Sequence, residues 1–280
     1  MASPPTSVSD SEAYRAICAR AAGEDAAFAQ FRRLPEFLAI VEPPSVDPDG
    51  WREGRGDVSI DAAEYAEHVR TIAAYRPLLE GFRANDRIGA PVVETFAELG
   101  EFNRYTLRYI KILWDLERLF DSLAGLRILE IGGGYGGQCA IIARRFDVAS
   151  YDILDLPETA ALARRFLATA GIGQARCLSD IAALQPSYDL LISNYAFSEL
   201  SDTLRAGYRE ALVPRCARGF MMWNRVYFDI TTLRLGRDAA VARFRAEMDA
   251  LAQLAPNLRT VDELLTADDR ARAVVMITWP

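Results

Sequence analysis

The residues with the plainest chemical potential in this 280-residue chain are a glycine run, "IGGGYGG" at 131–137, and the acids around it. Gly132, Gly133, Gly134 and Gly136 let the main chain turn tightly and let a ligand approach it closely. The helix expected after them presents free N–H groups to an anion. Gly132, Gly134 and Gly137 also satisfy the G-x-G-x-x-G spacing of dinucleotide sites. Glu130, two places before the first glycine, argues for a different ligand. A carboxylate at that strand end repels a pyrophosphate but accepts hydrogen bonds from an ammonium. S-adenosylmethionine carries a carboxylate suited to the loop and helix start, and an ammonium suited to the acid.

Two further acids fall at expected strand ends. In "YDILDLPE", Asp155, with Leu156 beside it, can accept from both hydroxyls of a ribose. The same residues also read as helix punctuation, with Asp155 as N-cap, Pro157 as an early proline and Glu158 as a capping-box partner. Asp180, after "ARCL", can face an adenine amino group with Ser179 beside the ring, or can simply cap the next turn.

The elements that must position these residues follow from the pattern. From about Glu12 to Phe120 the chain reads as helices broken by loops such as "VEPPSVDPDGWREGRGD" and "RANDRIGAP". In "EFNRYTLRYIKILWDLERLF", Phe102, Tyr105, Tyr109, Leu113, Leu116 and Phe120 recur at steps of three and four, which predicts one packed helical stripe. After Asp121, strands and helices alternate: "LRILEI", "ASYDIL", "ARCL", "YDLLISN" and "GFMMWN" read as strands with helices between them. "LRTVDEL" and "RAVVMITW" have no long helix between them and predict an antiparallel closing pair. The fold class is therefore α/β: a Rossmann-like, doubly wound, mostly parallel sheet with an antiparallel final strand, preceded by an N-terminal helical cap. The expected divisions are a disordered N-terminus at 1–11, the helical cap at 12–120 and the sheet domain at 121–280.

Composition narrows the partners. An apolar content of 51% fills a sizeable core, and no run approaches membrane-spanning length. The formal net charge is −7 with arginines scattered among acids, which argues against a nucleic-acid footprint. Lys111 is the only lysine. Cys18, Cys139, Cys177 and Cys216 lie far apart without metal-ligand spacing, which fits a reduced, cytoplasmic setting. The composition is compatible with a homo-oligomer.

"LEIGGGYGG", "DLPE" and "DLLISNYAFSEL" together resemble the class I S-adenosylmethionine-dependent methyltransferases, and more narrowly the bacterial sugar O-methyltransferases, from about Ile128 to Asn224. The resemblance implies that Glu130, Gly132, Gly134 and Gly136 line the methionine end, Asp155 the ribose and Asp180 the adenine edge. Ser193 to Glu199 would form the floor near the reactive methyl, and 12–120 would bind the acceptor. The chain departs from metal-dependent members that use several histidines, because His68 is its only one. A histidine-rich metal site is excluded; an all-oxygen Mg²⁺ site is not, although no acidic cluster announces one, and no metal ligand is assigned.

Transfer of a methyl group to a hydroxyl calls for in-line positioning and a general base. Glu199 is the first candidate, one helical turn past Tyr195; its plain alternative is a solvated or capping charge. His68 is the second, since histidine titrates near neutrality, although a histidine on a helix surface commonly has no such role. Asn194 and Tyr195 are placed to hold the acceptor or the adenosyl group, and Tyr105, Arg108 and Tyr109 to contact the acceptor. Trp223 and Asn224 end the "GFMMWN" strand, where Trp223 either stacks on a sugar ring or is buried. The acceptor expected is a sugar or nucleotide-sugar. A phenolic or amine acceptor, or a binding module without catalysis, is the alternative, and a nicotinamide-dependent dehydrogenase is disfavoured by Glu130 and the antiparallel ending.

Overall fold

The computed structural model describes residues 11–34, 37, 62–224, 237–262 and 274–280. The expected loop at 41–57, the first ten residues and the side chain of Asn224 lie outside the described residues.

The centre is a seven-stranded sheet of β3 (Arg127–Ile131), β4 (Ser150–Leu154), β5 (Ala175–Leu178), β6 (Tyr188–Asn194), β7 (Cys216–Asn224), β8 (Arg259–Asp262) and β9 (Val274–Trp279), in the order β5-β4-β3-β6-β7-β9-β8. The first five run parallel; β9 lies antiparallel between β7 and β8. This is the Rossmann-like, mostly parallel sheet with an antiparallel ending that the alternation predicts. β9 inserts beside β7, so the last strand of the chain is not the edge of the sheet.

Because β3 pairs with β4 on one side and with β6 on the other, the strand order reverses there, the place where open α/β sheets bind ligands beyond the carboxyl ends of their strands. Alternate residues of each strand serve opposite faces. Ile128, Tyr151, Ile153, Leu190 and Ile192 join one cluster, which also contains Ile17, Phe31, Phe82, Leu107 and Leu113 from the N-terminal region. Leu129, Ile131, Leu191 and Trp223 join the other, under the C-terminal helices. The N-terminal helices and the sheet thus share one continuous core.

Five helices build the near face: α1 (Glu12–Gly23), α2 (Ala62–Thr71), α3 (Arg104–Phe120), α4 (Gly137–Ala143) and α5 (Pro157–Thr169). α6 (Asp202–Leu212) and α7 (Arg237–Leu254) follow later in the chain. Ser11 caps α1 by accepting from the Tyr14 N–H at 3.2 Å, so the first helix starts at Glu12.

Two details differ from the sequence expectation. Phe102 is not on the α3 stripe but in β2 (Gly100–Phe102), which pairs with β1 (Glu94–Phe96) in a small hairpin. Its turn uses positive φ at Glu98 and Gly100 and carries no Asn-Gly or Asp-Gly signal, so nothing local announced it. α3 is also buried over more than one stripe, including Thr106, Lys111 and Asp115, because α2 and α4 pack against it. The buried Lys111–Asp115 ion pair, 2.7 Å, makes that polar burial tolerable.

Candidate active site

The glycine loop leaves β3 directly into α4. Gly132 sits at φ 71° and its N–H donates to the Leu154 carbonyl at 2.9 Å, pinning the loop to the end of β4. A Cβ at Gly132 would collide with the Ala196 side chain, so the loop and the turn after β6 touch. Gly134, at φ 56°, has nothing within 4 Å of a Cβ position, and the main chain there faces open space. Gly136, at φ 91°, is the left-handed residue that starts α4.

Asp155 stands at the same lip. Its carboxylate accepts from the Gly134 N–H at 2.9 Å and from the Leu156 N–H at 2.7 Å. Burial raises its pKa to about 6, against the two backbone hydrogen bonds that favour the charged form. The N-cap of α5 is Leu156, with no side-chain cap, and Glu158 pairs with Arg15 at 2.7 Å. The capping-box alternative for Asp155 and Glu158 is therefore not what forms.

Glu130 lies beneath the loop rather than on its rim. It is 1% exposed, accepts from the Tyr151 hydroxyl at 2.9 Å, and would be struck by a Cβ on Gly133. Burial pushes its pKa up to about 8, with the Tyr151 hydrogen bond opposing and the Asp155 charge adding to the rise. Two carboxyl groups with raised pKa values thus flank one short loop, a setting that favours a cationic group in the space between.

The turn after β6 supplies the floor. Ser193 donates to the Ile131 carbonyl and accepts from the Phe197 N–H, both at 3.1 Å, locking the turn to β3. Asn194 donates to Gln138 Oε1 at 3.4 Å, and Gln138 donates to the Tyr109 carbonyl at 3.2 Å. The Asn194 Oδ1 is buried without a hydrogen-bond partner among the described residues. Tyr195 holds φ 70°, an uncommon angle for a residue with a side chain, before the single turn Ala196–Glu199. Glu199 ends that turn half-buried.

Above this floor stand side chains of α3. The Arg108 guanidinium lies 4.9 Å from the Tyr195 ring centroid, 4.8 Å from that of Tyr105 and 5.8 Å from that of Tyr109. The Tyr109 ring backs onto Gly137, where any Cβ would meet it. Tyr105, Arg108, Tyr109 and Tyr195 therefore form one group against the loop. His68, on α2, sits edge-on to Trp114 with ring centroids 4.3 Å apart. Its Nε2 is buried without a partner among the described residues, and burial, helped by Lys111 and Arg118, lowers its pKa.

The remaining predicted residues lie further out. Ser179 and Asp180 are exposed beyond β5, where Asp180 caps a short turn by accepting from the Ala182 N–H at 2.8 Å. They share the lip with Asp155, whose N–H donates to the Leu178 carbonyl at 3.0 Å. Trp223 is fully buried between Phe197 and Phe244, so burial rather than stacking on a ligand is its role.

Sequence reasoning missed two contributors. Tyr14 of α1 and Tyr208 of α6 both reach the electrostatic range of Asp155; burial, then Cys18 and Asp155, pushes the Tyr14 phenol well up, and burial followed by Asp155 raises Tyr208. Neither carries a local signal, since only tertiary packing brings them within reach of the Asp155 charge. Among the described residues no group of three His, Cys, Asp or Glu is placed to hold a metal ion, and no helix is long and apolar enough to cross a membrane.

No protein-family model and no curated protein matches the sequence. Solved structures are similar in shape at low identity. The methyltransferase domain of bacterial CtHen1-C is 12% identical with a TM-score of 0.46, over 61% of this chain and 95% of that one. The N-methyltransferase NodS from Bradyrhizobium japonicum WM9, in complex with S-adenosyl-L-homocysteine, is 14% identical with a TM-score of 0.44, over 61% and 84%. The pyocyanin biosynthetic protein PhzM is 18% identical with a TM-score of 0.43, and this chain covers 57% of its length against 63% of its own.

Proposed function

We propose that the protein is a class I S-adenosylmethionine-dependent O-methyltransferase that acts on a sugar hydroxyl. The observation that carries this reading is the Gly134–Asp155 hydrogen bond, which fixes a positive-φ glycine loop and an acid from the next strand on one lip at the strand-order reversal. The residues present fit the donor. The space over Gly134 is open, the Asn194 Oδ1 is an uncommitted buried acceptor, and Glu130 and Asp155 offer carboxyl groups to an ammonium and a ribose.

S-adenosylmethionine supplies, when bound, an electrophilic sulfonium methyl. The chain's own residues do the rest. Asp155 and Leu156 hold the ribose end, Ser179 and Asp180 edge the adenine, and the main chain of Gly132, Gly133, Gly134 and Gly136 lines the methionine end, with the Gly132, Gly134 and Gly136 N–H groups already given to Leu154, Asp155 and Gly133. Glu130, neutral in large part at pH 7 without a ligand, becomes charged beside an ammonium. Tyr105, Tyr109 and Tyr195 orient the acceptor, and α2 and α3 exclude water from it. Glu199 takes the proton of the acceptor hydroxyl, with His68 as the second candidate.

Calorimetric titration with S-adenosylhomocysteine, followed by transfer of labelled methyl to a panel of sugars, nucleotide-sugars, phenols and amines, tests the reading. Micromolar binding with transfer to sugars supports it. Transfer confined to phenols or amines replaces the acceptor, binding with no transfer to any acceptor class points to a binding module, and no binding by folded protein overturns the donor.

A further inference from the structure

Among the described residues, the fully buried Lys111 and Arg32 come with built-in counter-ions, and the half-buried Arg108 does not. Lys111 pairs with Asp115 at 2.7 Å and Arg32 with Asp86 at 3.1 Å, all four side chains at 4% exposure or less. Arg108 lies one turn from Lys111, and its Nε is buried with no hydrogen-bond partner among the described residues. Its surroundings are the rings of Tyr105, Tyr109 and Tyr195. Aromatic faces satisfy the flat sides of a guanidinium but leave its edge donors uncommitted. Arg108 is half-buried, and its planar fork of donors matches the two oxygens of a carboxylate or a phosphate.

We infer that Arg108 is a specificity residue that recognises an oxyanion on the acceptor, so that the acceptor is an anionic sugar bearing a carboxylate or a phosphate. This rests on the proposed methyl-donor reading, because Tyr195 and Tyr109 place Arg108 against the turn after β6 and against the glycine loop. In a protein of net charge −7, a cation placed there favours an anionic acceptor.

The test is a titration of the full-length protein, with and without saturating S-adenosylhomocysteine, with glucuronate, glucose 1-phosphate and neutral glucose. The readout is the Arg108 Nε–H resonance, assigned through Arg108→Lys, together with affinity by calorimetry. The expected result is saturable binding of at least one anionic sugar with a shift of that resonance, no response to glucose, and affinity about thirtyfold or more weaker in Arg108→Gln. Arg108→Lys, which keeps the charge but loses the fork, should be weakened less. Preference for glucuronate assigns a carboxylate, and preference for glucose 1-phosphate assigns a phosphate. An unmoved resonance with all three sugars, or anion binding equal in wild type and Arg108→Gln, overturns the inference. Retained S-adenosylhomocysteine affinity in both variants shows that they fold. Failure of S-adenosylhomocysteine to bind wild type defeats the donor reading separately, while the arm without it still decides whether Arg108 takes an oxyanion.

Discussion

Asp155 and Gly134 are joined by a 2.9 Å hydrogen bond from the glycine N–H to the carboxylate, so the acid that follows β4 braces the loop of β3. Truncation removes the brace and the charge together. Hydrogen bonds to a charged group are worth about 1.5–3 kcal/mol, so Asp155→Ala should weaken S-adenosylhomocysteine binding by roughly ten- to a hundredfold. Asp155→Asn, which can still accept from Gly134, should lose less. Equal affinity of wild type and Asp155→Ala in calorimetry would remove Asp155 from the donor site.

Gly132 and Gly134 both hold positive φ, yet they should fail differently when substituted. At Gly132 an added Cβ meets Ala196 as well as an unfavourable backbone angle, so Gly132→Ala should cost more than about 2 kcal/mol of stability. At Gly134 only the angle opposes it, for about 1 kcal/mol, but the new atom enters the open space over the loop. Gly134→Ala is thus expected to melt within a few degrees of wild type while binding S-adenosylhomocysteine poorly. Thermal melts and calorimetry on the two variants check this, and intact binding in a folded Gly134→Ala would mean that the open space is not the ligand's.

Glu130 gives a pH signature. Its folded pKa of about 8 exceeds the ordinary 4.5, so the native state holds more protons than the unfolded chain between those values. Stability from this group therefore falls as pH rises from about 4.5 to 8 and stays low above that. Glu130→Gln, which keeps an acceptor for the Tyr151 hydroxyl, should melt higher than wild type at pH 9 and no higher at pH 4. Ligand binding should reverse the trend, because an ammonium favours the charged carboxylate: S-adenosylhomocysteine affinity in wild type is expected to rise between pH 6 and 8 with proton release. Calorimetry in two buffers of different ionisation enthalpy measures the release directly, and none at pH 7 would separate Glu130 from the ligand.

Much of this site was legible in the linear chain because its parts are local. The glycine run, Asp155 and "SNYAFSEL" each follow a short apolar strand, and parallel strands carry their carboxyl ends to one edge of the sheet. What was not legible depends on distance in sequence. Tyr14 is 141 residues from Asp155, and the rings around Arg108 come from α3 and the turn after β6. The β1–β2 hairpin was hidden because its turn is closed by Glu98 and Gly100 without a strong turn dipeptide. Trp223 shows the reverse case: strand periodicity placed it at the ligand edge, but the alternation of side chains turns it into the far core, against Phe244.

The general base separates by pH. Burial, Lys111 and Arg118 hold the His68 pKa below 6.5, so an active neutral imidazole would give kcat/KM a rising limb below that value and a plateau at pH 7. Loss of His68 would then abolish the limb. Glu199 is the residue placed at the end of the turn beneath Tyr195, and Glu199→Gln should lower kcat by about 10²–10⁴ with S-adenosylhomocysteine affinity unchanged. His68→Asn is expected to leave the profile in place and kcat within about tenfold, its main cost being the lost contact with Trp114. A kcat collapse in His68→Asn with Glu199→Gln near wild type would transfer the proton-accepting role to α2, and with it make the docking of α2 against α3 a condition of catalysis rather than of water exclusion alone.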